Sequence, residues 1–133
     1  MSANKKREQL KWKCWGRCAY CGQELGQKWH ADHLKPVRRI SVYVRGRGYL
    51  ATGQMASPEN DHEQNLMPAC IPCNADKADL ELESWRKRLE KAHEVLLRNY
   101  STYKHAHRFN MVGQIKTRVV FFFERPRIPL VEQ

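Results

Sequence analysis

Two pairs of cysteines constrain the fold of this chain more than any other feature. The stretches CAYC and CIPC place Cys18 beside Cys21 and Cys70 beside Cys73, so each short turn can direct two thiolates at one ion. Four thiolates suit tetrahedral Zn²⁺, and a site closed by four protein ligands is structural. The pairs are far apart in sequence, so zinc would hold the two ends of the intervening segment together.

A redox C-x-x-C motif and free thiols are the alternatives to a zinc site, but two pairs flanked by turn residues favour zinc. The N-terminal stretch MSANKKREQLKWK is basic and lacks the apolar run of a secretory signal. We therefore expect a reducing, cytoplasmic location. Cys14 is left over from the two pairs, and we predict a buried thiol that does not bind the metal.

The charge of the chain favours a polyanionic partner. Its 24 Lys and Arg against 14 Asp and Glu give a formal net charge of +10. Such a field attracts nucleic acid, although a solubilising surface is the plain alternative. The longest apolar run, Val119 to Phe123, is far too short to cross a bilayer, so we expect no membrane span.

The 133 residues suit one α+β domain without a separate linker. A short helix over residues 4–15 and a strand over residues 29–34 precede an insertion at about residues 36–64, where alternating apolar residues and glycines predict a β-ribbon or long loop. Apolar residues at three- and four-residue steps predict a long helix over residues 79–100. Two strands forming a C-terminal β-hairpin should follow, ended by Pro126.

Several ligand-type residues are not needed by the zinc. Asp32 and the amide of Asn74 offer hard oxygen ligands, and His33 accepts a proton near neutral pH. An incomplete, oxygen-rich site suits Mg²⁺ or a similar ion that keeps several waters. These residues would serve a one-metal phosphodiesterase, although Asn74 could instead only cap a helix.

The order of C-x-x-C, ADHLKP and NLMPACIPCNADK resembles the HNH endonuclease family in its cysteine-clamped form, over about residues 14–80. The resemblance implies a ββα-metal core, with a structural Zn²⁺ behind a catalytic Mg²⁺ or Mn²⁺. It implies a cytoplasmic enzyme of a bacterium or phage-infected cell, in a phage, mobile-element or restriction setting. The substrate would be DNA, most simply double-stranded, cut by nicking or by a double-strand break.

By position in these motifs, the resemblance implies that Asp32 and Asn74 are ligands of the catalytic metal and that His33 is the general base. Asn65 would hold the loop and orient that base. Lys77 would be a catalytic lysine within reach of a phosphate. His30 stays open between an auxiliary metal ligand, a phosphate contact and a packing histidine.

The insertion departs from the compact family pattern. Its arginines, interleaved with Tyr43 and Tyr49, are candidate DNA contacts, although a merely solvated ribbon fits as well; they are Arg38, Arg39, Arg45 and Arg47. The sequence thus predicts a metal-dependent DNA endonuclease, and a catalytically inactive, zinc-stabilised nucleic-acid-binding module is the alternative. A homodimer is compatible with either function.

Overall fold

The computed structural model describes residues 2–126 and has an α+β fold, as predicted. The described chain divides into two compact units, one made of residues 2–81 with 121–126 and the other of residues 82–120. In the first unit the helices and strands follow in the order α1 (Ala3–Trp12), β1 (His30–His33), β2 (Arg39–Val44), β3 (Gly48–Met55), β4 (Leu66–Ala69) and α2 (Ile71–Lys77). The second unit contains α3 (Leu82–Glu90), α4 (Ala92–Asn99) and α5 (Ser101–Arg108).

The centre of the first unit is a small antiparallel sheet followed by a short helix. Strand β1 pairs with β4, with His30 opposite Ala69 and His33 opposite Leu66. Helix α2 begins two residues after β4 and packs against β1. Strand alternation turns Asp32 inward while Ala31 stays exposed. This pairing brings residues about 35 positions apart in the chain onto one surface.

The insertion forms the β-ribbon that its alternating pattern predicts. Strands β2 and β3 pair with each other and with no other strand among the described residues, and they are joined by a tight turn. Gly46 and Gly48 take φ of +83° and +75° at that turn, a conformation that glycine adopts without steric cost. Every residue of β2 from Arg39 to Tyr43 is exposed, so the ribbon offers both of its faces to solvent.

The first cysteine turn lies in the core of this unit. Cys18, Ala19 and Tyr20 are buried, and the residues after the second unit return to cover them. The amides of Phe122 and Phe123 donate to the carbonyls of Tyr20 and Ala19 at 3.0 and 2.8 Å. Phe121 of the same segment is buried, and full burial of a phenylalanine side chain contributes roughly 1.5–3 kcal/mol, so the returning segment stabilises the cysteine turn.

The predicted long helix is present, with an irregularity at Lys91. The N–H of Lys91 is shared between the carbonyls of Lys87 and Arg88, each at 3.2 Å, which separates α3 from α4. Tyr100, with φ −120° and ψ 111°, ends α4, and α5 follows where no helix was predicted. A 2.7 Å hydrogen bond between the His93 ring and the Tyr103 hydroxyl joins α4 to α5. None of the helices in residues 2–126 has the length and apolarity needed to cross a membrane.

The prediction of a C-terminal β-hairpin is wrong. Residues 109–121 contain no strand. Side chains of α3 bind the backbone of one residue in this segment: the N–H of Val119 donates to the Glu90 carboxylate at 2.9 Å, and the carbonyl of Val119 accepts from Arg86. The β-prone residues of this segment therefore do not pair as strands, and helix side chains take both backbone hydrogen bonds of Val119.

Candidate metal sites and catalytic pocket

Four cysteine sulfurs form a cluster suited to a structural metal. The Sγ atoms of Cys18, Cys21, Cys70 and Cys73 all lie within 4.8 Å of one another. Zn–S bonds of about 2.3 Å in a tetrahedron place neighbouring sulfurs about 3.8 Å apart. The Sγ atoms of Cys21 and Cys70 are separated by 3.8 Å. The donor set and its spacing therefore fit zinc, as the two C-x-x-C pairs predict.

The environment of Cys18 favours the thiolate that a metal requires. A hydrogen bond from the Cys73 thiol, assisted by backbone N–H groups, lowers the pKa of Cys18 to about 4 against the opposing effect of burial. Donation to Cys18 raises the pKa of Cys73 in turn. A cation at the centre of the cluster would replace this shared proton. Cys14 is buried and lies outside the cluster, as expected.

A second group of predicted residues lines an open pocket of about 450 Å³. Asp32 and His33 from β1 and Asn74 from α2 contribute to its wall, together with Arg38 and Arg39 at the start of the ribbon. An ideal strand would point Asp32 and His33 to opposite faces. They share this pocket because β1 ends at His33.

Asp32 is held by one of its two carboxylate oxygens. Its Oδ2 accepts from the Tyr20 hydroxyl at 2.5 Å and pairs with Lys77 Nζ at 3.1 Å. Oδ1 receives no hydrogen bond from any residue in the range 2–126, and every buried polar side-chain atom in that range has a partner, so Oδ1 is accessible to solvent. The bonds to Oδ2 therefore fix the orientation of the carboxylate, and Oδ1 is left open.

Tyr20 was not singled out by sequence reasoning, yet it sets the position of Asp32. Burial, followed by the nearby Asp32 carboxylate, raises the pKa of Tyr20, so the hydroxyl stays a neutral donor. Tyr20 lies between the two cysteines of the first turn. Only its distance to Asp32 in the folded chain reveals its role. The same turn thus supplies two sulfurs of the four-cysteine cluster and the donor that orients Asp32.

Lys77 differs from the expectation of a phosphate contact. It is fully buried, and Nζ donates to the carbonyl of His33 at 2.9 Å as well as pairing with Asp32. A buried ammonium with these partners has no surface to offer to a substrate. Instead, its ammonium neutralises the buried Asp32 carboxylate and holds the end of β1 through the His33 carbonyl.

His33 has one ring nitrogen occupied and one open. Its Nε2 lies 2.9 Å from Oδ1 of Asp61, and because a carboxylate only accepts, Nε2 donates. In neutral histidine Nδ1 then carries the lone pair, and no side chain or backbone group of residues 2–126 hydrogen-bonds to it. The sequence did not predict a role for Asp61. Its only indication there is that this acidic residue lies four positions before Asn65.

Asn74 does not act as a helix cap. It is the fourth residue of α2, after the N-cap residue Cys70, and its side chain makes no hydrogen bond with the described residues. Asparagine has a lower helix propensity than residues such as alanine or leucine. Its place inside α2 therefore indicates another use for its amide. Here Asn74 lines the same pocket as Asp32.

Asn65 is a buried residue that fixes the loop around the pocket. Its Oδ1 accepts from the N–H of Lys35 at 2.9 Å, while Nδ2 donates to the carbonyls of Lys35 and Asn60 at 2.8 and 2.7 Å. Its own carbonyl accepts from the N–H of Leu34. These bonds tie the end of β1 to the segment that carries Asp61, so Asn65 holds both partners of the His33 pair.

The remaining predicted site residues fall into two groups. His30 is exposed at the start of β1 and does not line the pocket, so its position fits neither a packing histidine nor a ligand at this pocket. Arg38 and Arg39 lie at the pocket, and Arg38 also pairs with Glu81 at 3.3 Å. Arg45 and Arg47 are at the far end of the ribbon, in and beside its turn.

A comparison with models of protein families finds no match to this chain, and comparisons with curated proteins and with solved structures find none.

Proposed function

We propose that this protein is a divalent-metal-dependent endonuclease of the HNH type that hydrolyses phosphodiester bonds of DNA. The observation that carries the proposal is the pocket in which Asp32 keeps one oxygen fixed by Tyr20 and Lys77 and the other open. The order of two antiparallel strands and a helix around it agrees with the ββα core that the resemblance implies.

The donor set of the pocket fits a hydrated hard cation. Oδ1 of Asp32 and the amide oxygen of Asn74 are oxygen ligands of the kind that Mg²⁺ and Mn²⁺ accept, and an open pocket leaves room for waters and a phosphate. When bound there, such an ion would act as a Lewis acid that neutralises charge on the phosphate and on the leaving 3′ oxygen.

His33 would serve as the general base. Donation of Nε2–H to Asp61 fixes the tautomer and leaves Nδ1 able to take a proton from a water molecule. The Asp61 carboxylate also stabilises the imidazolium that results, as a carboxylate does beside any catalytic histidine. Asn65 keeps this pair in place through its bonds to Lys35 and Asn60.

DNA is the proposed substrate because of the charge around the pocket. The net charge of +10 attracts a polyanion, and Arg38 and Arg39 lie where the phosphates on either side of the scissile bond would pass. Zinc in the four-cysteine cluster would hold the first cysteine turn against α2, so that Tyr20 and Asn74 keep their positions.

Plasmid cleavage tests the proposal. We expect purified protein to nick or linearise supercoiled DNA with added Mg²⁺ or Mn²⁺, to stop when EDTA is added, and to lose at least ~10²-fold of its rate as His33→Ala. His30→Ala is the matched control, since His30 lies two positions before Asp32 and outside the pocket. It should cleave at the wild-type rate.

Circular dichroism and zinc content should be the same for both variants and the wild type. Salt-sensitive DNA binding without cleavage in any divalent ion would leave the zinc-stabilised binding module as the function. Equal activity of wild type and His33→Ala would exclude His33 as the base.

A further inference from the structure

The ribbon formed by β2 and β3 has the composition of a nucleic-acid contact. The segment from Pro36 to Pro58 contains four arginines and no acidic residue. Both of its faces are exposed, and no third strand among residues 2–126 covers either one. A two-stranded ribbon is marginally stable alone in water, so an exposed ribbon of this length is suited to a partner that completes it.

One face of the ribbon presents aromatic side chains. Tyr43 and Tyr49 lie directly opposite each other, with ring centroids 5.3 Å apart in an edge-to-face arrangement, and are 65% and 77% exposed. Strand alternation places Ile40 and Val42 on the other face, and Arg45 and Arg47 lie in the turn next to the two tyrosines. The aromatic face, defined by Tyr43 and Tyr49, thus combines π surfaces and hydroxyl groups, and the positive charge of the turn arginines lies beside it.

The dimensions of the ribbon select the kind of nucleic acid. Two paired strands lie about 4.8 Å apart, and with their side chains they fit the major groove of B-form DNA, which is about 12 Å wide. The major groove of A-form RNA is too deep and narrow for such an element. Tyrosine can contact the thymine methyl group there and donate a hydrogen bond to a base edge.

The position of the ribbon gives a distance to the scissile bond. Arg38 and Arg39 at its base line the pocket that holds Asp32 and His33. The five residue steps from Arg39 to Val44 span about 17 Å at the usual rise of a strand. With a rise of about 3.4 Å per base pair, that length corresponds to about five base pairs of DNA.

We propose that the aromatic face of the ribbon enters the major groove of duplex DNA about three to six base pairs from the bond that is cut. The distance rests on the proposed function, because it is measured from the catalytic pocket. The groove contact does not depend on catalysis, so the two proposals fail separately.

Photocrosslinking to 5-iododeoxyuridine tests the contact and the distance together. This base carries iodine at the thymine methyl position in the major groove, and ultraviolet light joins it to a nearby aromatic side chain. Wild-type protein is crosslinked to duplex DNA containing one such base, without added divalent metal, and Mn²⁺ is then supplied. We expect crosslinked peptides that contain Tyr43 or Tyr49, and a cut about three to six base pairs from the crosslinked base.

Variants define the outcome. Tyr43→Ala/Tyr49→Ala should lose at least ~10-fold of the crosslink, because it removes both aromatic rings that the iodinated base would meet in the groove. Tyr100→Ala, which removes a 56% exposed tyrosine of the second unit, should retain it. The duplex RNA of the same sequence, with 5-iodouridine, should crosslink weakly. Unchanged zinc content and circular dichroism show that the double variant is folded.

The results separate the two proposals. A crosslink that survives Tyr43→Ala/Tyr49→Ala, or equal crosslinking of duplex RNA, would overturn the groove contact while the nuclease stands. A cut more than about six base pairs from the crosslinked base would overturn the distance. A ribbon-dependent crosslink with no cleavage in Mn²⁺ or Mg²⁺ would support the groove contact and overturn the nuclease.

Discussion

At the scale of single residues, two side chains of the pocket each have one atom fixed by a hydrogen bond or ion pair and another atom left open. Asp32 uses Oδ2 for Tyr20 and Lys77, and His33 uses Nε2 for Asp61. In each case the held atom fixes the orientation of the atom that faces the pocket. In the proposed reaction, groups positioned in this way would need no reorganisation when charge develops.

Asp61 provides a test of this arrangement. In Asp61→Asn the amide oxygen can still accept from Nε2–H of His33 but the negative charge is lost, whereas Asp61→Ala removes both. We expect kcat for DNA cleavage to fall at least ~10-fold in Asp61→Asn and further in Asp61→Ala, with a smaller change in KM. Steady-state kinetics on a duplex substrate measures both constants.

Glu59→Gln is the control for Asp61, because Glu59 is an exposed acid of the same loop and the substitution makes the same change in net charge. It should leave kcat unchanged. If Glu59→Gln and Asp61→Asn lowered kcat equally, the effect would come from the charge of the loop, and Asp61 would not be a positioning residue.

At the scale of elements, the four-cysteine cluster and the pocket share the same two pieces of chain. The first cysteine turn carries Tyr20 between Cys18 and Cys21, and α2 carries Cys73 next to Asn74. Metal in the cluster would therefore fix the donor of Asp32 and the second proposed ligand together. Loss of zinc should damage the pocket as well as the fold.

A pair of cysteine variants tests this coupling. We expect Cys70→Ser to release zinc and to lower Tm by at least ~10 °C, since a structural zinc contributes several kcal/mol to a small domain. Cleavage should fall with it. Cys14→Ser changes a cysteine outside the cluster and should keep the metal. Atomic absorption and thermal denaturation measure the two effects; a folded, zinc-loaded Cys70→Ser protein would show the four-thiolate assignment to be wrong.

At the scale of the whole molecule, positive charge should govern the affinity for DNA. A formal charge of +10 predicts that binding weakens steeply as salt rises, because each phosphate contact releases counterions. The ribbon and the second unit both carry basic residues, so net charge alone does not say which surface meets the phosphates.

Paired charge variants locate that surface. Arg45→Gln/Arg47→Gln should reduce the slope of log Kobs against log salt by about 1 to 2, one contact for each arginine. Lys104→Gln/Lys116→Gln removes the same charge from the second unit and should change the slope by less. Fluorescence anisotropy with a labelled duplex measures the slopes. Equal reductions would mean that the ribbon arginines act only through the overall field.

The sequence by itself predicted the elements whose pattern is local. The C-x-x-C spacing predicted the four-sulfur cluster, alternation predicted β1 and the ribbon, and apolar steps predicted α3 and α4. The β-prone residues after residue 108 predicted a hairpin that does not form, and at Val119 side chains of α3 take both backbone hydrogen bonds. A local pattern does not reveal competition from another element.

Only the tertiary structure decided which atoms of the pocket are held and which are open. Lys77 has the sequence context of an exposed helical lysine, yet the buried Asp32 carboxylate draws it inside, where removing one partner of the pair would cost about 3–5 kcal/mol. Asp61 and Tyr20 gain their roles from distances to His33 and Asp32 that no spacing along the chain encodes. Residue types determined the available chemistry, and packing determined the direction of each group, because burial and hydrogen bonding depend on neighbours that are distant in sequence.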